Sequence, residues 1–237
     1  MNRTGVSFII LVSFFVNLSV LIFSGHSEIR VGEKLTYNVK MGIFSAGTQV
    51  VCVAEKSYID SYSVYHIISH TKTNSFFSVF YKMDNCIEAF VDENSFTLRK
   101  LIKNLNEGSF HQKSSAILIP EEGVGNIMIN NSLQTFSIPS FVLDIVSMPY
   151  YLRNIELNVN QKVLLNILTD AGIKTYEAKV ETKETVSTNK GKFDSFRIVE
   201  NKEKIKVWIS ADTQRLPVKI SVGTNFGEIV GILEKVE

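Results

Sequence analysis

From Glu33 onward, apolar and polar residues alternate along the chain with a period of two. Leu35, Tyr37 and Val39 alternate with Lys34, Thr36 and Asn38, the pattern of a strand with one face against a core. The same alternation, enriched in β-branched and aromatic residues, predicts strands at 33–40, 48–55, 62–73, 86–92, 96–103, 109–119 and 126–129. It resumes at 162–169, 174–183, 191–200, 204–210, 217–222 and 228–235. Short linkers rich in Asn, Gly and Asp separate these runs, and no long helical stretch lies between neighbours, which favours antiparallel pairing over βαβ units. A sheet of roughly eleven or more strands accumulates twist and leaves its edges open. The expected fold is therefore mainly β: antiparallel strands in a closed barrel or strongly curved half-barrel.

Two places break the alternation. Phe76, Phe77, Phe80 and Tyr81 recur at helical spacing and predict a turn or two of helix with an aromatic face. Phe141, Ile145, Met148 and Leu152 fall at i, i+4, i+7 and i+11, the apolar stripe of an amphipathic helix over 140–154. Ser140 can cap that helix, whereas Pro149 must kink or break it. One or two short helices are thus expected to pack on the sheet or plug it.

The N-terminus differs from the rest. Arg3 precedes Val6–Phe23, eighteen residues of which fourteen are apolar, and Gly25-His26-Ser27 follows. This is the order of a secretory signal peptide, with cleavage best placed after Ser27. The competing reading is a retained anchor, since the run approaches the roughly 20 residues that span a bilayer. Without a cysteine near the cleavage region, a lipoprotein's acyl anchor is excluded. Either way residues 28–237 form a single exported domain in the periplasm or envelope, touching a membrane only through an uncleaved N-terminal segment.

Charge narrows the partners. The chain holds 25 basic and 24 acidic residues, and removing Arg3 with the signal leaves it neutral. A neutral chain has no broad basic face for phosphate, which argues against nucleic acid. Cys52 and Cys86 can pair as a disulfide in an oxidising compartment or serve as small buried hydrophobes. His66 and His70 share a strand face but lie about 13 Å apart, so no metal site is expected, and nothing calls for a cofactor.

Several clusters occur in a familiar order. Gly32-Glu33-Lys34-Leu35-Thr36-Tyr37 leads to Gly42 and Ala46-Gly47-Thr48, then to Glu107-Gly108. The run Asp144-Ile145-Val146-Ser147-Met148-Pro149-Tyr150-Tyr151-Leu152-Arg153 follows. After it come Gly191-Lys192-Phe193, Trp208-Ile209-Ser210-Ala211-Asp212 and Arg215-Leu216-Pro217-Val218. This succession resembles the exported bacterial family called domain of unknown function 3108, over Val31 to Leu233. Met41 stands where that family is expected to carry an aromatic. The resemblance implies a mainly β envelope protein of Gram-negative type and implies no reaction.

No nucleophile elbow, zinc-protease helix or phosphate loop is present, so no catalytic residue is assigned. Asp144, Ser147 and Tyr151 would line one side of the expected helix, with Arg153 near its end. They read either as a polar lip for a ligand head group or as caps and ion pairs that dock the helix. Trp208 reads as a stacking surface or as core. Phe76 and Phe80 are the apolar candidates. The leading expectation is a non-catalytic envelope protein that binds an apolar, lipid-like ligand or an envelope protein at a curved sheet. A scaffold without a small-molecule site and an unrecognised hydrolase are the alternatives.

Overall fold

The computed structural model describes residues 29–202, 204–224 and 227–237. The expected signal segment lies outside them. The first run of strands comprises β1 Lys34–Met41, β2 Phe44–Ile59, β3 Tyr62–Thr73, β4 Asp84–Asp92, β5 Leu98–Glu107, β6 Phe110–Ile119, β7 Val124–Ile129 and β8 Ser132–Ser137. After the helix α1 Met148–Asn154 come β9 Lys162–Thr169, β10 Gly172–Thr188, β11 Gly191–Glu200, β12 Ile205–Ser210, β13 Pro217–Thr224 and β14 Gly227–Val236. All fourteen strands belong to one antiparallel sheet in the order β8-β7-β6-β5-β4-β3-β2-β1-β14-β13-β12-β11-β10-β9.

That order is two meanders joined at the chain's ends. β1 pairs with β14, so the strands nearest the two ends of the domain occupy the middle of the sheet. β8 and β9 become the outer edges and do not pair with each other. The sheet is strongly curved without being a hydrogen-bonded closed barrel. Bulges at Val53/Glu55, Phe90/Val91 and Val180/Thr182 supply bends that a regular ladder lacks. Curvature brings distant parts together: the Lys103 ammonium on β5 pairs with Asp170 in the β9–β10 turn, and Gln112 on β6 donates to the same carboxylate at 2.8 Å.

The segment 138–161 has to travel from one sheet edge to the other. Its first part does so as extended chain, contrary to the helix predicted from Ser140. The Leu98 amide donates to the Val142 carbonyl at 2.7 Å, and Leu143 bridges Ile167 of β9 in parallel. Leu143 is fully buried, while Ile145, counted in the predicted apolar stripe, is exposed. The helix begins only at Met148, and Pro149 stands in its first turn. There the missing N–H costs nothing and the fixed φ favours the helix, so the proline starts α1 rather than kinking it. The second helical signal is real but short, a single 3-10 turn at Phe77–Val79.

The inward alternation makes one core. Val53, Ile67, Ala89 and Leu101 from β2 to β5 share it with Val180, Ile198, Val207 and Leu233 from the other meander. α1 contributes Met148 and Leu152 from inside the curve. Gly47 is required by the β2–β3 approach: a Cβ there would stand 2.3 Å from the Lys72 carbonyl oxygen, a backbone atom that cannot move aside. β8 escaped sequence reading because its residues are almost all exposed. In the turn before it, Asn130 and Asn131 both take positive φ, as a tight two-residue hairpin requires.

Candidate functional site

The motifs that are scattered along the sequence meet around α1. Glu33, just before β1, is buried and receives both terminal nitrogens of Arg153 at 2.5 and 3.0 Å. The guanidinium also donates to the Gln214 carbonyl at 3.3 Å. From the other side Arg215, at φ 48°, donates to the carbonyls of Arg153 and Ile155 at 2.6 and 2.8 Å. Those are carbonyls that the end of a helix leaves without intrahelical partners. Tyr37 donates its hydroxyl to the Pro217 carbonyl at 2.9 Å. Burial pushes the hydroxyl pKa of Tyr37 and Tyr150 well above the ordinary tyrosine value, so both stay protonated. This constellation ties β1, α1 and the β12–β13 turn together; Arg153 is enclosed and presents nothing to a ligand head group.

The other polar candidates are likewise consumed by structure. The Asp144 carboxylate accepts the amides of Val146 and Ser147 at 2.9 and 3.0 Å and holds the turn that enters α1. Burial pushes its pKa up against those hydrogen bonds. Tyr151 packs on Phe141 and Phe96, with ring centroids 4.9 and 6.4 Å away. Trp208 is buried, donates to Glu184 at 2.7 Å and carries the Lys219 ammonium 4.2 Å from its ring. Cys52 and Cys86 are both free thiols on β2 and β4. With β3 between them they stand at least about 10 Å apart, beyond the roughly 7 Å reach of a disulfide. Burial and the neighbouring Glu88 and Asp84 push the Cys86 thiol up, away from nucleophilic thiolate.

The sequence reading missed a second buried cation. Arg99 on β5 pairs with Asp92 at 3.0 Å and with Glu121 at 2.7 Å, and its guanidinium lies 3.3 Å from the Tyr62 ring centroid. Arg99 gives no apolar signal, and its acidic partners come from the end of β4 and the β6–β7 turn, whose approach only the folded sheet creates.

Among the described residues, two small spaces of about 20 and about 30 Å³ lie beside α1 inside the curve. Each has room for about one water molecule, far short of an acyl chain. The first is lined by Met148, Leu152 and Ile198 among others, the second by Tyr37, Gln49 and Tyr150. A larger trough of about 430 Å³ on β4–β7 is open to solvent and edged by Glu88, Lys103 and Asn130.

The exposed apolar residues gather elsewhere. Ile43 and Phe44 in the β1–β2 hairpin are 87 and 60 % exposed, and Phe76, Val79 and Phe80 in the β3–β4 loop are 66, 80 and 76 % exposed. The two loops are stitched together, because Asn74 donates its amide to Ala46 and its side chain to Ser45, at 2.9 and 2.7 Å. A third loop joins them: the Gly108 amide donates to the Lys82 carbonyl at 2.7 Å, and the Tyr81 hydroxyl donates to Glu107 at 3.0 Å. Three adjacent strand connections therefore present one apolar rim at the end of the sheet. An exposed cluster of this kind marks an interaction surface far more often than scattered single residues do.

A curved antiparallel sheet with a plugging helix, a filled core and an apolar rim is the class that these features define. A sequence profile described as Protein of unknown function (DUF3108) matches residues 36–234, and the chain belongs to that family. No curated protein matches it. Among solved structures, it resembles a β-barrel-like protein of domain of unknown function DUF1849 from Brucella abortus, at 10% identity and a TM-score of 0.55, over 89% of this chain and 99% of that one. A protein described as "a putative lipoprotein from Parabacteroides distasonis" aligns at 10% identity over 90% of this chain and 98% of its own, with a TM-score of 0.32. Among the described residues no helix is long and apolar enough to cross a membrane.

Proposed function

We propose that this is an exported, non-catalytic binding protein of the cell envelope that works through the apolar rim at one end of its sheet. The observation that carries the reading is the contrast between interior and rim. The two spaces beside α1 are water-sized, whereas Ile43, Val79 and Phe80 stand almost fully in solvent. A protein that carried an acyl chain inside its curve would need the reverse. The polar residues suited to a ligand head group, Asp144 and Arg153, are engaged with Ser147, Val146 and Glu33. Burial and the neighbouring Glu88 and Asp84 raise the Cys86 thiol and so disfavour its thiolate form. Export rests on the N-terminal pattern of Met1–Ser27, which suits the envelope membership that the family resemblance implies.

Site-specific photo-crosslinking in exporting cells tests this reading. A photoreactive residue at Phe44 or Phe80 is expected to give a discrete crosslinked product. The same residue at Leu164 or Tyr58, 64 and 74 % exposed on strands away from the rim, is expected to give background only. Equal yields from all four positions would count against the rim as the working surface.

A further inference from the structure

We infer that the partner of the rim is a lipid bilayer surface rich in anionic headgroups, into which the loop tips dip from one side; this rests on the rim being the working surface. Three observations point to a bilayer rather than to a folded protein.

The first is shape. The apolar residues sit at the tips of strand connections instead of lining a groove: Ile43 and Phe44 at a two-residue hairpin end, and Phe76, Val79 and Phe80 along a single 3-10 turn. Projecting tips offer a partner protein little concave surface to fill, but they match an interface of headgroups and acyl ends, where aromatic side chains concentrate. The Phe76 ring meets that of Phe80 edge to face at 5.8 Å, so the tip is a preformed wedge and loses little entropy on insertion.

The second is the backbone. A segment that enters the hydrocarbon boundary must bring its amides already bonded, because no water is there to receive them. The amides of residues 77 to 81 all have partners within the loop. Phe77 donates to the Asn74 side chain at 2.9 Å, Ser78 to the Asn74 carbonyl at 2.9 Å, and Val79 to Phe76 at 3.4 Å. Phe80 and Tyr81 both donate to the Phe77 carbonyl, at 3.0 and 2.8 Å. An ordinary solvent loop has no such requirement.

The third is charge. Lys40 at the end of β1 and Lys82 after the 3-10 turn flank the apolar tips, and no ion pair engages either among the described residues. Asp84 nearby is taken by His70 at 2.6 Å and Lys72 at 3.5 Å. Among the described residues, Glu107 is the one acidic group on the rim outside an ion pair, and it accepts from Tyr81 and Asn85. Basic side chains beside an apolar wedge are the arrangement that holds peripheral proteins on anionic lipid. The chain enters β1 at Lys34, roughly 23 Å of strand away from Met41, so the described N-terminal residues do not cover the rim.

Flotation of the exported protein with vesicles tests the inference, comparing phosphatidylethanolamine/phosphatidylglycerol with phosphatidylcholine alone. Wild type is expected to float with the phosphatidylglycerol vesicles. Phe76→Ser/Phe80→Ser is expected to lower the bound fraction at least about tenfold, from the lost apolar burial. Lys40→Gln/Lys82→Gln is expected to abolish the preference for the anionic vesicles. Phe76, Phe80 and Lys82 are exposed and Lys40 is half-buried, and an unchanged urea midpoint confirms that the variants are folded. A retained N-terminal anchor would float wild type and the phenylalanine variant alike, and that result overturns the inference. So does wild type that stays with the soluble fraction. If flotation fails while Phe80 still crosslinks to a protein, the bilayer is excluded and the rim remains the working surface. If the rim also fails to crosslink, both readings fall together.

Discussion

Replacing Arg153 with methionine is expected to lower folding stability by about 3–5 kcal/mol, the usual consequence of removing one partner from a buried ion pair. Both side chains are 2 % exposed, so the Glu33 carboxylate left behind has no route to water. The damage should not stay local. Glu33 precedes β1 at the centre of the sheet, Arg153 ends α1, and Gln214 and Arg215 belong to the β12–β13 turn. Losing the guanidinium therefore loosens the joint between the two meanders. The companion change distinguishes ion pairing from packing: Glu33→Gln combined with Arg153→Met removes both charges and is expected to recover a large part of the loss. Urea unfolding of the two variants beside wild type measures this, with the midpoint as the readout and an unchanged slope as evidence of the same native state.

Replacing Arg99 with methionine is expected to cost about 3 kcal/mol at neutral pH, because Asp92 would then be buried without its cation. It should also change how stability depends on acid. Hydrogen bonds from Arg99 hold the Glu121 carboxyl down at about 2, against an ordinary value of 4.5. Burial on its own would push Asp92 up, but hydrogen bonds from Ser95, Arg99 and Asn94 outweigh it and hold that carboxyl low as well. A depressed carboxyl contributes stability that is fully present above its unfolded value and is lost as the pH falls toward its folded value. Wild type should thus lose stability between about pH 4.5 and about pH 2. In Arg99→Met the Asp92 carboxyl gains from protonation, so the decline over that window should flatten or reverse. Thermal midpoints recorded across it give the answer, and parallel curves for the two proteins would contradict the assignment.

The strands were legible because a sheet with one buried face writes its geometry into every second residue. Leu35, Tyr37, Ile67 and Val207 all lie inside where their alternation put them. Where burial fails, so does the signal: β8 is an exposed edge strand whose residues carry no alternation. The predicted helix over 140–154 shows the opposite error. Phe141, Met148 and Leu152 carry apolar residues at helical spacing, yet Leu143 pairs with β9 and fixes the first half as extended chain. A residue can be apolar because a bridge is buried, and periodicity alone does not separate that cause from a helix face. Among candidate residues, Phe76 and Phe80 could be picked out as an aromatic cluster, but their exposure could not. Ile43 and Phe44 went unnoticed because two apolar residues in a hairpin turn look like the ends of two strands. Only the fold reveals that the β1–β2 and β3–β4 loops share one end. Arg153 reads in two ways from the sequence, as a donor to a ligand head group or as an ion pair that docks the helix. Its partner Glu33 lies 120 positions away, a separation that no local pattern spans.

The account turns on where binding takes place, and native mass spectrometry of the protein purified without detergent from the envelope fraction asks this directly. A filled interior with its working surface outside predicts the mass of the polypeptide alone, with no lipid held at one per chain. The same spectrum fixes whether the chain begins after Ser27. A lipid retained at one per chain and released only on denaturation would contradict the account, because it would require an internal cavity many times larger than the water-sized spaces beside α1.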